Sequence, residues 1–375
     1  MKYYLIAGEA SGDLHGSNLV NELHQLDKDA LFRGWGGEKM SDQGVEIVKH
    51  YRDLAFMGFA EVIKNLPTIF KNLSFCKQDI LAYKPDALIL IDYPGFNLRM
   101  AKWAFEKKIK VFYYISPQIW AWKESRVKLI KKYVDKMLVI LPFEQAFYKK
   151  WNYEVSYIGH PLVRVVKDYL RNVKSIEDAL NKWPSNIIAL LPGSRKQELE
   201  IKLPIMLEVV QYFPNHNFVI AKAPGISDDF YDPFIESFKN VKTISNKTYN
   251  LLSNASAALV TSGTATLETA LFGVPQVVCY KGSNLSYQIA KRLIKIKYIS
   301  LVNLIMDKPV VKELIQDELT VINLKRSLDK ILFEKEYVDQ IKSDYGTLEK
   351  LLDKGGNASR NGAEVIYKYL LTPSL

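Results

Sequence analysis

The sequence predicts an α/β protein made of two similar halves, each a parallel sheet covered by helices on both faces. Short apolar runs of strand length alternate with amphipathic helical stretches along the first half. The alternation then restarts after Pro161. A chain of 375 residues is also too long for one compact core and long enough for two ordinary domains.

The elements follow in order. Tyr3–Ala7 reads as a first apolar strand, followed by a Gly-rich turn and a helix from about Ser17 to Leu26. Lys84-Pro85-Asp86 introduces a strand at Ala87–Ile91, with a helix beyond Leu98. Lys110–Ile115 and Met137–Ile140 are further strands, the second closed by Pro142. A charged helical piece covers about Leu162–Leu180, and Trp183-Pro184 marks a boundary. Strands then fit Ile187–Leu191, Phe218–Ala221, Ala257–Val260 and Gln276–Tyr280, with helices between them. The tail from about Ile322 is helical, broken at Lys354-Gly355-Gly356-Asn357. No repeat of solenoid period is present.

Composition narrows the function classes. At 48% hydrophobic and 25% charged the chain is globular rather than disordered. A formal net charge of +10 points to an anionic partner, which could be a nucleotide, nucleic acid or anionic lipid. Cys76 and Cys279 are far apart in apolar stretches, which fits buried thiols rather than a disulfide framework or zinc site. The opening MKYYLIAGEASGD turns polar too soon for a signal peptide, and no segment supplies the roughly 20 apolar residues a membrane span needs.

Several polar motifs sit at predicted strand ends. Gly8-Glu9-Ala10-Ser11-Gly12-Asp13 follows the first strand, but lacks both GxGxxG spacing and the P-loop lysine. It reads either as a ligand-facing turn or as a plain tight connection. Asp92, in Asp92-Tyr93-Pro94-Gly95-Phe96-Asn97, stands where open α/β sheets bind ligands and could accept a proton from an attacking hydroxyl. Capping the next helix is the alternative, and His15 is the competing base. Trp120 and Trp122 follow the next strand, in a stretch where Lys107 to Lys136 holds nine Lys/Arg against two acidic residues. They either line an amphipathic site or pack under a loop.

In the second half, Gly193-Ser194-Arg195 combines glycine, a hydroxyl and a guanidinium, the ingredients of a phosphate clamp; a surface turn is the alternative. Gln197 and Glu198 read as members of the following helix. Ser262-Gly263-Thr264 offers N–H groups and hydroxyls at a helix start, with Glu268 one turn on. Glu268 serves either as a ribose acceptor or as a capping-box partner. Lys281 to Ser300 carries five Lys/Arg and no acid, including Lys291, Arg292 and Lys295. This stretch reads as a basic face near lipid or a helix packed on its apolar side.

Taken together, AGEASGD, the Asp92–Asn97 segment, YISPQIWAW at Tyr114–Trp122, LPFE at Leu141–Glu144, IGHP at Ile158–Pro161, LPGSR at Leu191–Arg195 and SGTATLE at Ser262–Glu268 resemble the lipid-A-disaccharide synthase family of inverting glycosyltransferases. The resemblance continues through AKRLIK at Ala290–Lys295 and the segment around Asn303, so it covers essentially the whole chain. It implies a GT-B fold: two Rossmann-like domains with parallel sheets facing a central cleft. The expected boundaries are 1–165 for an acceptor-side domain, 185–345 for a UDP-sugar-binding domain, and 346–375 for helices returning to the first domain.

The resemblance further implies transfer of 2,3-diacylglucosamine from UDP to 2,3-diacylglucosamine 1-phosphate, without a metal or other cofactor. Asp92 is then the implied catalytic base. Ser194, Arg195, Ser262, Gly263, Thr264, Glu268 and Asn303 fall on the side expected to hold UDP. It implies peripheral attachment to the anionic cytoplasmic face of a Gram-negative inner membrane, allows a homodimer with exchanged C-terminal parts, and assigns no nucleic acid as partner. Gly95 departs from family versions that carry an aspartate before Phe-Asn, so no catalytic role falls on position 95. The alternatives are another UDP-N-acetylglucosamine-dependent GT-B transferase or epimerase, or a nonenzymatic nucleotide- or membrane-binding module.

Overall fold

The computed structural model describes residues 1–54, 66–173, 183–223, 225–282, 287 and 296–372. The chain divides into two units, Met1–Pro161 with Leu352–Leu375, and Leu162–Leu351. Each unit is a parallel sheet with helices on its faces.

In the first unit the strands are β1 (Lys2–Ala7), β2 (Leu31–Gly36), β3 (Glu46–His50), β4 (Ala87–Ile91), β5 (Lys110–Tyr114), β6 (Lys136–Val139) and β7 (Ser156–Tyr157). Their order is β3-β2-β1-β4-β5-β6-β7, and every pairing is parallel. Because side chains alternate along a strand, β1 sends Tyr4 and Ile6 into one core and Tyr3, Leu5 and Ala7 into the other. Burial of both faces is what makes these strands continuously apolar in sequence. The terminal helix Ala358–Leu371 belongs to this unit. Its Ala358, Ala363 and Ile366 join the second core, Asn357 donates to Glu22 Oε1 at 3.0 Å, and Tyr369 donates to Asp135 Oδ1 at 3.0 Å.

The second unit repeats the plan with β8 (Ile187–Leu191), β9 (Asn217–Ala221), β10 (Val241–Ile244), β11 (Ala255–Thr261), β12 (Gln276–Tyr280) and β13 (Lys312–Ile315). The order β10-β9-β8-β11-β12-β13 is again all parallel. In both sheets the strand order reverses at one place, between β1 and β4 and between β8 and β11. Ligands of open parallel sheets meet the carboxyl ends of the strands at such reversals.

The structure differs from the sequence reading in several elements. The first helix spans Ala10–Leu26, so the expected Gly-rich turn is helical from Ala10 onward. This places Asp13 in the helix, where its buried carboxylate accepts N–H groups from Gly37, Lys39 and Met40 at 2.7–3.1 Å. The helix expected beyond Leu98 begins at Pro94, a residue suited to a first helical turn because it has no N–H to satisfy. Strands β2, β3, β7, β10 and β13 were not foreseen; β7 is only two residues long, LFRGWG, EIVKH, VKTI and KELI of the others carry charged residues, and all but β2 lie at sheet edges. Of the helix expected over Leu162–Leu180, the described part is Pro161–Val173. Lys291, Arg292 and Lys295 lie outside the described residues.

Candidate functional site

At the β1/β4 reversal, Ala7 pairs with Ile91, which brings Gly8 beside the turn that follows β4. Asp92 and Tyr93 both adopt left-handed backbone, with φ of 43° and 50°. Two successive L-residues in this region are costly and persist only where surroundings hold them. Here the Asp92 carbonyl accepts from Asn97 Nδ2 at 2.7 Å and from the Tyr113 hydroxyl at 2.6 Å, while its N–H donates to Tyr114 O at 3.3 Å. The Tyr93 ring lies over Gly8, where a Cβ would approach Cγ of that ring to 2.4 Å. Only glycine fits under it.

The result is a half-buried carboxyl on a rigid elbow. Burial pushes Asp92 up from 3.8 to about 6; Glu9 nearby adds to the rise and the Tyr93 N–H opposes it. The carboxylate is therefore ionised at neutral pH yet more basic than an ordinary aspartate. His15, the competing base, is pulled down to about 4 by burial, and its Nδ1 has no hydrogen-bond partner. Its low basicity makes it the poorer proton acceptor of the two. Gly95 is exposed and nothing lies within 4 Å of where its Cβ would be.

The β8/β11 reversal in the second unit holds a cavity of about 530 Å³, lined by Ser194, Arg195, Ser262, Gly263, Thr264 and Glu268 among others. Gly193 and Gly263 both have φ of +126°, a geometry that favours glycine, at the turns leading into helices Lys196–Glu208 and Thr264–Leu271. Two helix N-termini thus open onto one hollow, an arrangement whose free N–H groups and dipoles favour an anion. Arg195 is largely exposed and contacts Glu198 Oε1 at 3.5 Å. Glu268 accepts from the Tyr249 hydroxyl at 3.0 Å, and burial raises its pKa while that hydrogen bond lowers it. The cap of its helix is Gly263, so the third helical position is Thr266 and Glu268 lies too far along to be a capping-box partner.

Asn303 is placed differently from the other nucleotide-side residues. It is 1% exposed, its Nδ2 donates to Val311 O and Glu313 Oε1 at 2.9 Å, and its Oδ1 accepts from Val311 N–H at 2.9 Å. It lines a hollow of about 340 Å³ with Tyr298, Glu313 and Tyr337, rather than the cavity at the reversal. The tryptophans also part company. Trp120 is buried edge-on against Phe143 at 4.9 Å, whereas Trp122 is exposed, with Lys123 Nζ 4.4 Å above its ring. Glu144 of LPFE is buried, accepts from the Ile140 and Leu141 N–H groups at 3.2 and 2.9 Å, and is pushed up to about 7 by burial. Among the described residues no group of three or more His, Cys, Asp or Glu is placed to hold a metal ion.

A family model described as lipid-A-disaccharide synthetase matches residues 3–368. The chain belongs to the lipid-A-disaccharide synthetase family. It is 38% identical to the lipid-A-disaccharide synthase of Trichlorobacter lovleyi over 367 residues, covering 96% of each chain. With the enzyme of Coxiella burnetii it shares 38% over 373 residues, covering 98% of each. Among solved structures, the UDP-GlcNAc 2-epimerase from Neisseria meningitidis superposes with a TM-score of 0.69 at 15% identity, over 99% of this chain and all of that one. The glycosyltransferase of kitacinnamycin does so with 0.67 at 13%, over 98% and 99%. These likenesses establish a two-lobed α/β fold of GT-B type built from two Rossmann-like units.

Sequence reading of this lipid-A-disaccharide synthetase family member gave no role to several residues at the two sites, Asn97 of the Asp92–Asn97 motif among them. Asn97 and Tyr113 hold the Asp92 elbow by their side chains, and Tyr249 orients Glu268 from another helix. Lys222, also at the cavity, pairs with Asp228. None carries a local pattern that signals such a contact. Lys202 did carry one: a lysine at helical spacing from Leu199, Leu203 and Met206.

Proposed function

We propose that this glycosyltransferase moves 2,3-diacylglucosamine from UDP to the 6-hydroxyl of 2,3-diacylglucosamine 1-phosphate. The products are UDP and a β-1′,6-linked lipid A disaccharide 1-phosphate. The observation that carries the reading is family membership across residues 3–368, in a chain that holds a basic carboxyl at one sheet reversal and an anion-favouring hollow at the other.

In this reading Asp92 takes the proton of the acceptor 6-hydroxyl as that oxygen attacks the donor anomeric carbon from the face opposite UDP. The C–O bond to UDP breaks and the electron pair leaves on the diphosphate. Arg195, the Ser194 and Ser262 hydroxyls, and the N–H groups around Gly263 and Thr264 stabilise that charge. Glu268, held by Tyr249, accepts from ribose hydroxyls. Asn303 contributes by tying the helix Leu301–Met306 to Val311 and Glu313 rather than by touching nucleotide.

The substrates carry acyl chains and phosphates, so the enzyme works at the anionic cytoplasmic face of an inner membrane. The basic stretch from Lys107 to Lys136 and exposed Trp122 suit that surface. No helix among the described residues is long and apolar enough to cross a membrane. A homodimer, in this reading, exchanges the C-terminal segment that here packs on the chain's own first unit.

The test compares donors. With acceptor present, UDP should be released from UDP-2,3-diacylglucosamine and hardly at all from UDP-N-acetylglucosamine. Epimerisation of UDP-N-acetylglucosamine without UDP release would overturn the reading.

A further inference from the structure

The helix Lys196–Glu208 buries Leu199, Leu203, Met206 and Leu207, and Lys202 stands on the same face with 2% exposure. Taking an ammonium out of water is costly unless partners replace the solvent, and a leucine or methionine would serve helix packing as well. The partners are specific. Lys202 Nζ donates to Glu198 Oε2 at 3.2 Å and to the Thr261 hydroxyl, and both of these residues line the cavity at the β8/β11 reversal.

Gly193 brings the ammonium close to that cavity. A Cβ on Gly193 would lie 3.4 Å from Lys202 Nζ and 2.6 Å from Glu198 Oε2, so the missing side chain is what leaves room for the pair. Glu198 is shared: its other oxygen lies 3.5 Å from Arg195 Nη1. One carboxylate therefore sits between two cations at a wall where two helix N-termini open. Burial pulls Lys202 down from the usual lysine range, while the Glu198 carboxylate beside it acts in the opposite sense. A charge buried this way is less screened than one on the surface.

We propose that Lys202 is a buried counter-charge for the nucleotide diphosphate, and that Glu198 is the internal anion that occupies this place until the diphosphate displaces it. The inference rests on the nucleotide reading of the cavity. It makes Lys202 a positioning residue acting through the cavity wall, and Glu198 a brake on anion entry.

Calorimetric titration of the full chain with UDP, beside ligand-observed NMR with uridine, tests it. Lys202→Met should weaken UDP about 10- to 100-fold and leave uridine affinity unchanged, because uridine carries no phosphate. Glu198→Gln, on a partly exposed side chain whose amide oxygen can still accept from Lys202, should tighten UDP by about 3- to 10-fold. Equal losses for UDP and uridine in Lys202→Met, or unchanged UDP affinity, would overturn the counter-charge. Weaker UDP binding by Glu198→Gln would overturn the displaced anion. If the unaltered chain binds neither ligand, the nucleotide reading itself fails and takes the inference with it.

Discussion

Replacing Asp92 with asparagine separates catalysis from architecture more sharply than any other single change. The side chain keeps its size, and an Asn Oδ1 still accepts the Tyr93 N–H, so the elbow held by Asn97 and Tyr113 stays in place. Activity should fall by about 10²–10⁴ as the general base is lost. A carboxyl held near 6 rather than 3.8 disfavours its anion by about 3 kcal/mol relative to the unfolded chain. Between those two values the native state binds more protons than the unfolded one, so this term lowers stability as pH rises through the window. Asp92→Asn should then be more stable than the parent at pH 8, by at most about 3 kcal/mol, with the advantage gone below about pH 4. The parent kcat/KM should lose about tenfold for each pH unit below 6, and the variant should lack that limb. Initial rates of disaccharide formation across pH, with urea melts at pH 4 and pH 8, read both quantities. A variant with near-normal rates, or with the same acidic limb, refutes the general-base assignment; a large loss of stability makes Asp92 structural instead.

Other expectations follow from contacts at the two reversals. Gly8→Ala should cost about 1–3 kcal/mol in a thermal or urea melt because its methyl meets the Tyr93 ring at 2.4 Å, and adding Tyr93→Ala should recover part of that loss. Asp13→Ala strips acceptors from three backbone N–H groups and should destabilise by about 2–4 kcal/mol; lost activity with an unchanged melt would give Asp13 a functional role instead. Gly95→Asp should melt within about 0.5 kcal/mol of the parent, since its side chain enters open space. Arg195→Met should weaken UDP by about tenfold or more in calorimetry and flatten the salt dependence of binding; equal affinity at low and high salt in both proteins would remove the guanidinium from the phosphate site.

The central strands of both sheets were legible because they are buried on both faces and so are apolar without interruption, as in ALILI of β4 and IIALL of β8. The peripheral strands were not: KELI of β13 and EIVKH of β3 meet solvent and carry charges that mask the pattern. At the sites, the strand-end motifs located the two reversals, because a parallel sheet gathers its loops there. What each polar residue does was less legible. Asp13, Asn97, Glu144 and Asn303 look as reactive in the sequence as Asp92, yet each is buried and hydrogen-bonded to backbone groups that hold the local structure. That distinction depends on partners up to 91 residues away, as for Asn97 and Ile6, and no local spacing encodes it. Lys202 is the converse case: the sequence reading passed over it, and its burial on the apolar face of its helix singles it out.

Product analysis by mass and linkage decides whether this chain makes the disaccharide. The chain is incubated with UDP-2,3-diacylglucosamine and 2,3-diacylglucosamine 1-phosphate, with chelator present. The expected products are a tetra-acylated disaccharide 1-phosphate with a β-1′,6 linkage and one UDP for each disaccharide, both lost in Asp92→Asn. A folded chain that yields no disaccharide with these substrates while it turns over UDP-N-acetylglucosamine would contradict the proposed reaction.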